Sequence, residues 1–222
     1  MTASPTSAAS TLAANVPAAA TDPSTAAPPA SAASGAAPVL SQRLRTETAT
    51  QHERMHTLMA EGKPFADREA YARFVAAQYE FQRDVEHLFA APELRAAVPD
   101  IDMRGRQSAS QADLADLGAA VPTGPLATQH IGMPEALGWL YVSEGSTLGA
   151  AFLFKEAQSA LGLTADFGAR NLAAYPEGRA RAWKQFVAAL DATPPDVHDG
   201  AIAGANAAYD RFGALLRHHF DL

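Results

Sequence analysis

Leu44-Arg45-Thr46-Glu47-Thr48-Ala49-Thr50-Gln51-His52-Glu53-Arg54-Met55-His56 is the stretch on which the reading of this 222-residue chain turns. Leu44, Thr48, His52, Met55 and Met59 recur at helical spacing and define one face of a first helix, with His52 on its apolar side. Gly62-Lys63-Pro64 ends that helix. Two readings compete over the same residues. His52-Glu53-Arg54-Met55-His56 spells His-Glu-x-x-His, which sets two imidazoles on one helix face for zinc with the glutamate as base. The helix also offers one histidine, His52, as an axial ligand to a haem iron. A plainer alternative makes His52 a core-edge histidine and His56 a solvated one.

Outward from this stretch the chain stays helical. No segment alternates apolar and polar residues with β-branched enrichment, so no strand is expected. Residues 68–90 read as a second helix carrying Tyr71, Phe74, Val75, Gln78, Phe81, Val85 and Leu88, broken at Pro92. Residues 93–134 are mixed, with short helices near Leu94 and over 111–117. Pro134 suits a first helical position, and a long helix follows to about Leu161. Residues 177–190 turn Trp183, Phe186, Val187 and Leu190 inward. Pro194-Pro195 separates them from a last helix over 197–220. The expectation is an all-α fold, a single domain of about six to eight helices over 39–222.

Residues 1–38 contain Asp22 as their only charge and no aromatic residue, and consist almost wholly of Ala, Ser, Thr and Pro. Such a tract buries too little apolar surface to offset its ordering entropy and is expected to be disordered. It lacks the basic start and Leu-rich centre of a secretory signal, and the arginines of a transit peptide. Formal net charge is −7 without the basic patch that nucleic acid requires. The absence of cysteine excludes disulfides, thiolate metal sites and cysteine nucleophiles, and fits a cytoplasmic location.

Residues 136–154 are apolar apart from Glu144 and small polar side chains. Their length raises a membrane span, with Gly145-x-x-x-Gly149 as a packing motif. The mid-segment glutamate and the amphipathic flanks favour a buried central helix instead. Gly138, Val142, Gly145, Gly149 and Phe152, spaced four, three, four and three apart, form one stripe. A mid-helix glycine costs about 1 kcal/mol relative to alanine. Two of them one turn apart imply either tight helix–helix packing or a large flat group lying close to the backbone.

A zinc hydrolase needs a third ligand beyond His-Glu-x-x-His, and Glu61, Glu69 and Glu80 sit in no such motif. A di-iron bundle needs two Glu-x-x-His motifs, and only Glu53-x-x-His56 is present. Taken together, the residues resemble the bacterial haem oxygenases, in particular the pseudomonad iron-acquisition and bacteriophytochrome-linked type. Leu44-Arg-x-x-Thr48-x-x-x-His52 is similar to the family's proximal-helix signature, and Tyr141-Val-Ser-Glu-Gly145-Ser-Thr-Leu-Gly149 to its distal one. The likeness also takes in residues 64–89 and the stretch from Gly204-Ala-Asn206 onward.

The resemblance implies haem, as substrate and cofactor, sandwiched between two helices and cleaved with O2 and an external electron donor to biliverdin, CO and Fe2+. His52 would be the iron ligand. Gly145, Ser146 and Gly149 would form the distal catalytic face. Arg45, Lys155 and, more weakly, Lys63 would meet the propionates; Tyr141, Asn206, Tyr209 and Phe212 would line the pocket. Implied partners are a reductase or ferredoxin and a bacteriophytochrome, with neither nucleic acid nor membrane. A non-catalytic haem carrier is the alternative from another class. Two positions depart from the family pattern. His56 stands where many members place an acid that accepts the proximal imidazole N–H, and a neutral His56 can accept it instead. Ser146 stands where animal-type enzymes place the aspartate that organises catalytic water.

Overall fold

A computed structural model describes residues 38–222, so the expectation for the tail falls, apart from Pro38, outside the described residues. Among these residues eight α-helices form: α1 Leu40–Glu47, α2 Ala49–Gly62, α3 Arg68–His87, α4 Pro92–Ala97, α5 Gln107–Asp116, α6 Glu135–Leu161, α7 Arg179–Asp191 and α8 His198–Phe220. No strand forms among them; isolated bridges join Thr164 to Phe167 and Gly168.

The first helix read from sequence is two helices. Thr48 lies between α1 and α2 with φ −108° and ψ 7°, and its hydroxyl donates to the Leu44 carbonyl at 2.7 Å. A threonine bonding back one turn competes with the helix ladder and bends it. Leu44 is wholly buried, a side chain worth about 1.5–3 kcal/mol in transfer free energy. The pattern Leu44…Thr48…His52 is therefore an anchor, a bend and an outward projection. His52 accordingly departs from the expected apolar side: it is exposed, while Met55 and Leu58 carry the buried face of α2.

Helix α3 starts where Asp67 accepts the Ala70 N–H at 2.8 Å, an N-cap bond worth about 1 kcal/mol. The region 93–134 does hold two short helices, although α5 begins at Gln107 rather than 111, and α7 begins at Arg179 rather than 177. Pro134 caps α6 instead of opening it. Helix α8 packs against α1, α2, α3 and α6, so it supports both helices that the motifs single out. The core between α3, α6 and α8 holds Phe81 stacked on Trp139 at 5.9 Å, with Phe212 against Phe81 at 5.3 Å.

No helix among the described residues is long and apolar enough to cross a membrane. Glu144, the charge in the middle of the apolar stretch, is buried in an ion pair with Arg104.

A candidate haem site between α2 and α6

The glycine stripe of α6 divides into two parts with different jobs. A Cβ on Gly138 would lie under 3.0 Å from Ala201 O, Ala205 N and Gly204 C of α8. This glycine serves backbone-to-backbone packing, as the tight-packing alternative required. Gly149 is the opposite case, because a Cβ there would meet nothing within 4 Å. A Cβ on Gly145 would meet only the Trp183 ring, at 3.7 Å. Phe152, next along the stripe, is 48% exposed. At Gly149 and Phe152, then, α6 presents bare backbone and an uncovered aromatic ring to open space, while Gly145 lies against Trp183.

A second group of residues gathers around His52. The His52 ring meets Tyr209 of α8 edge to face, with centroids 6.5 Å apart. Tyr141 of α6 packs on Trp183 at 5.6 Å. Burial pushes the Tyr209 phenol above its ordinary pKa, Tyr141 adds to the rise, and the Thr48 side chain offsets part of it. Burial raises Tyr141 likewise, while the nearby charge of Arg45 opposes it. Residues from α1, α2, α6 and α8 (Arg45, His52, Tyr141, Tyr209) thus belong to one neighbourhood. The shielded part of the His52 ring and the adjacent His56 lower the imidazole pKa, with Glu53 working the other way. The neutral form, which is the ligating one, is favoured.

His56 does not take the role open to it. Its ring stands edge to face with His52 at 4.7 Å and 69°, and no hydrogen bond joins them. Asn206 donates its amide to Ile202 O of its own helix at 3.1 Å, and Phe212 packs into the core against Phe81. Among the α8 candidates it is Tyr209 that reaches His52. Arg45, Lys63 and Lys155 are all exposed and form no ion pair among the described residues. Lys63 sits at the C-cap of α2 with φ 46°.

The Ser146 hydroxyl donates to Ser143 O at 2.6 Å. It also accepts from Arg106 at 3.4 Å. Sequence reasoning passed over Arg106, which has no periodic or motif signature. It is buried and donates to Ser143 O at 2.7 Å and Ser143 Oγ at 2.9 Å, while its Nε has no partner. Burial draws its pKa down; Glu144, Tyr175 and Glu86 oppose that. The lone Glu144 in an apolar helix was a detectable hint of a different buried cation, since a buried charge demands a buried partner. That partner is Arg104, at 2.5 Å, with the Tyr175 hydroxyl donating to the same carboxylate at 2.8 Å.

A flat, largely apolar group with anionic edges fits these residues. It needs bare backbone, aromatic walls, a neutral imidazole and free cations, and all four occur here. A catalytic zinc centre, which needs three protein ligands, fits less well, because among the described residues no group of three or more histidine, aspartate or glutamate side chains could hold a metal ion.

The comparisons with known proteins agree. The family model described as "Heme oxygenase" matches residues 39–218. The chain is 48% identical over 184 residues to heme oxygenase PigA of Pseudomonas aeruginosa, covering 81% of this chain and 92% of that protein. The crystal structure of the NO- and CO-bound heme oxygenase of Neisseria meningitidis is similar with a TM-score of 0.78 and 35% identity, covering 84% of this chain and 94% of that one. The heme oxygenase of Leptospira interrogans, at 16% identity and a TM-score of 0.64 over 81% of this chain and 99% of that one, shares the fold. The chain belongs to the haem oxygenase family and is a haem-degrading oxygenase.

Proposed function

We propose that haem binds between α2 and α6 with His52 as its axial ligand, and that the chain cleaves it with O2 and external electrons to biliverdin, CO and Fe2+. The observation that carries this reading is the pairing of an exposed imidazole on one helix with uncovered backbone at Gly149 on another, both mounted on α8. Bound haem supplies the iron that activates O2 and is itself the molecule consumed.

The remaining work falls to side chains. His52 holds the iron as a neutral donor, which leaves the metal less electron-rich than a thiolate would. Tyr209 fixes one edge of that ring. Gly145 and Gly149 keep the distal face free of side chains, so a small gas molecule fits against the ring. Arg45, Lys155 and Lys63 neutralise the propionates. Ser146, held by Arg106 and Ser143 O, stands in place of a carboxylate beside Gly145. Electrons come from a reductase or ferredoxin in the cytoplasm, and the product serves iron release or a bacteriophytochrome.

The test is spectroscopic. Haem is added to the purified chain, followed by O2 and a reductant. Loss of the Soret band with growth of a biliverdin band supports the enzyme. A Soret band that persists through many minutes of both reagents marks a carrier instead.

A further inference from the structure

The haem reading uses one half of the His-Glu-x-x-His motif and leaves the other without a task. His52 and His56 project from successive turns of α2, with ring centres 4.7 Å apart. Among the described residues a histidine ring that does hydrogen-bond is that of His219, to Glu80 at 2.9 Å; the rings of His52 and His56 bond to nothing. His52 is exposed and His56 half-buried, so a hydrated cation reaches both. The helix that carries them is pinned in this orientation. Cβ positions at Gly213 of α8 would touch Met55 at 3.0 Å and Leu58 at 3.4 Å, which shows how closely the opposite face of α2 is seated.

We propose that in the haem-free protein His52 and His56 chelate one divalent cation of the nickel, copper or zinc type, and that this cation and haem exclude each other. The exclusion rests on the axial role of His52, since both occupants need its ring nitrogen. Imidazole suits these metals, and two histidines at i and i+4 on one helix face are a known zinc-binding arrangement. Metal–nitrogen bonds of about 2.0–2.1 Å, at angles between right and tetrahedral, place two ring centres roughly 4.5–5.2 Å apart. The observed separation of 4.7 Å matches that after rotation of the rings to aim their nitrogens. With two protein ligands and water in the other positions, the site is open, unlike a closed four-ligand structural site. It holds its cation reversibly, and by reciprocity a cation that opposes haem is itself expelled by haem. The cation thereby gates loading of the enzyme.

The full haem-free chain is titrated with zinc sulfate by calorimetry, and then with haem, followed by the Soret band, with and without zinc. The expected result is one zinc bound at this site, lost in His52→Ala, His56→Ala and His56→Gln and retained in His218→Ala. Circular dichroism of each variant establishes that its helices are intact. With free zinc at ten times its dissociation constant, competition raises the apparent haem Kd about elevenfold, and it leaves the haem Kd of His56→Ala at that variant's own zinc-free value. Zinc binding that survives both His56 substitutions overturns the proposal, and so does a haem Kd indifferent to zinc in the unaltered chain. Failure of the axial reading is separately visible: His52→Ala would then bind haem with an unchanged Soret band, whatever zinc does.

Discussion

Gly138 on α6 and Gly204 on α8 bring two helix backbones into direct contact: a Cβ on Gly138 would stand 2.8 Å from the Gly204 carbonyl carbon. No real side chain fits there, and α6 is fixed to α8 at this crossing. Gly138→Ala or Gly204→Ala forces the helices apart. Overpacking typically costs about 1–3 kcal/mol, which exceeds the gain of up to about 1 kcal/mol that alanine brings to a helix interior. Urea denaturation of the haem-free chain checks this; an unchanged midpoint in both variants would refute it.

Gly149, further along the same helix, behaves oppositely. A Cβ there finds no atom within 4 Å, so Gly149→Ala stabilises the haem-free fold by up to about 1 kcal/mol through helix propensity. The same methyl would stand on the face proposed to admit O2, and the side chain of Gly149→Leu would fill more of it. Melting temperature and haem turnover should therefore move in opposite directions. Turnover that tracks stability in both variants would remove Gly149 from the site.

The contrast between these two glycines shows how far the sequence was legible. Helical periodicity identified nearly every helix, because burying one face of a helix dictates where apolar residues recur. The 4-3-4-3 stripe, by contrast, placed Gly138 and Gly149 on one surface; spacing cannot reveal that α8 covers the first and nothing covers the second. The bend at Thr48 was hidden for a similar reason, since threonine's back-bond to Leu44 O is one of several options open to its hydroxyl. Arg106 was illegible because its burial depends on the path of the 93–134 connection, which carries no periodic signal.

Arg104 and Glu144, each side chain 1% exposed, form a pair whose halves depend on each other. Arg104 also pairs with Asp100 at 2.7 Å and lies 5.2 Å above the Phe186 ring. Arg104→Met leaves the Glu144 carboxylate with the Tyr175 hydroxyl as its hydrogen-bond donor and the Arg106 charge nearby. Removing one partner of a buried pair costs about 3–5 kcal/mol. Arg104→Met with Glu144→Met should recover part of that loss. A double variant no more stable than Arg104→Met alone would show that the pair is not the source.

Acid sensitivity is set in part by Asp116. Its hydrogen bond from Arg170 holds the carboxyl below its ordinary pKa, and the Gly168 N–H adds to this. A depressed folded-state value means that the carboxylate stabilises the fold above the unfolded pKa of about 3.9. That contribution is lost as pH falls through the lower folded value. Asp113, also bonded to Arg170 at 3.2 Å, is raised by burial and acts in the opposite sense. Asp116→Asn should lower stability at pH 7 and flatten the fall in stability below about pH 4. An unchanged acid limb would count against the Arg170 contact.

The two histidines of α2 give the most direct check on the site. His52→Ala removes the proposed iron ligand and should abolish turnover, with the Soret band shifted or lost. Imidazole added to the solution occupies the vacated space and should restore the Soret position and part of the turnover. His56→Ala leaves His52 in place, and since no hydrogen bond joins the rings, turnover should persist while the orientation of the His52 ring relaxes. The iron–imidazole stretching frequency in the ferrous resonance Raman spectrum reads that relaxation directly. The reverse pattern, with loss of turnover and imidazole rescue in His56→Ala but not in His52→Ala, would make His56 the ligand.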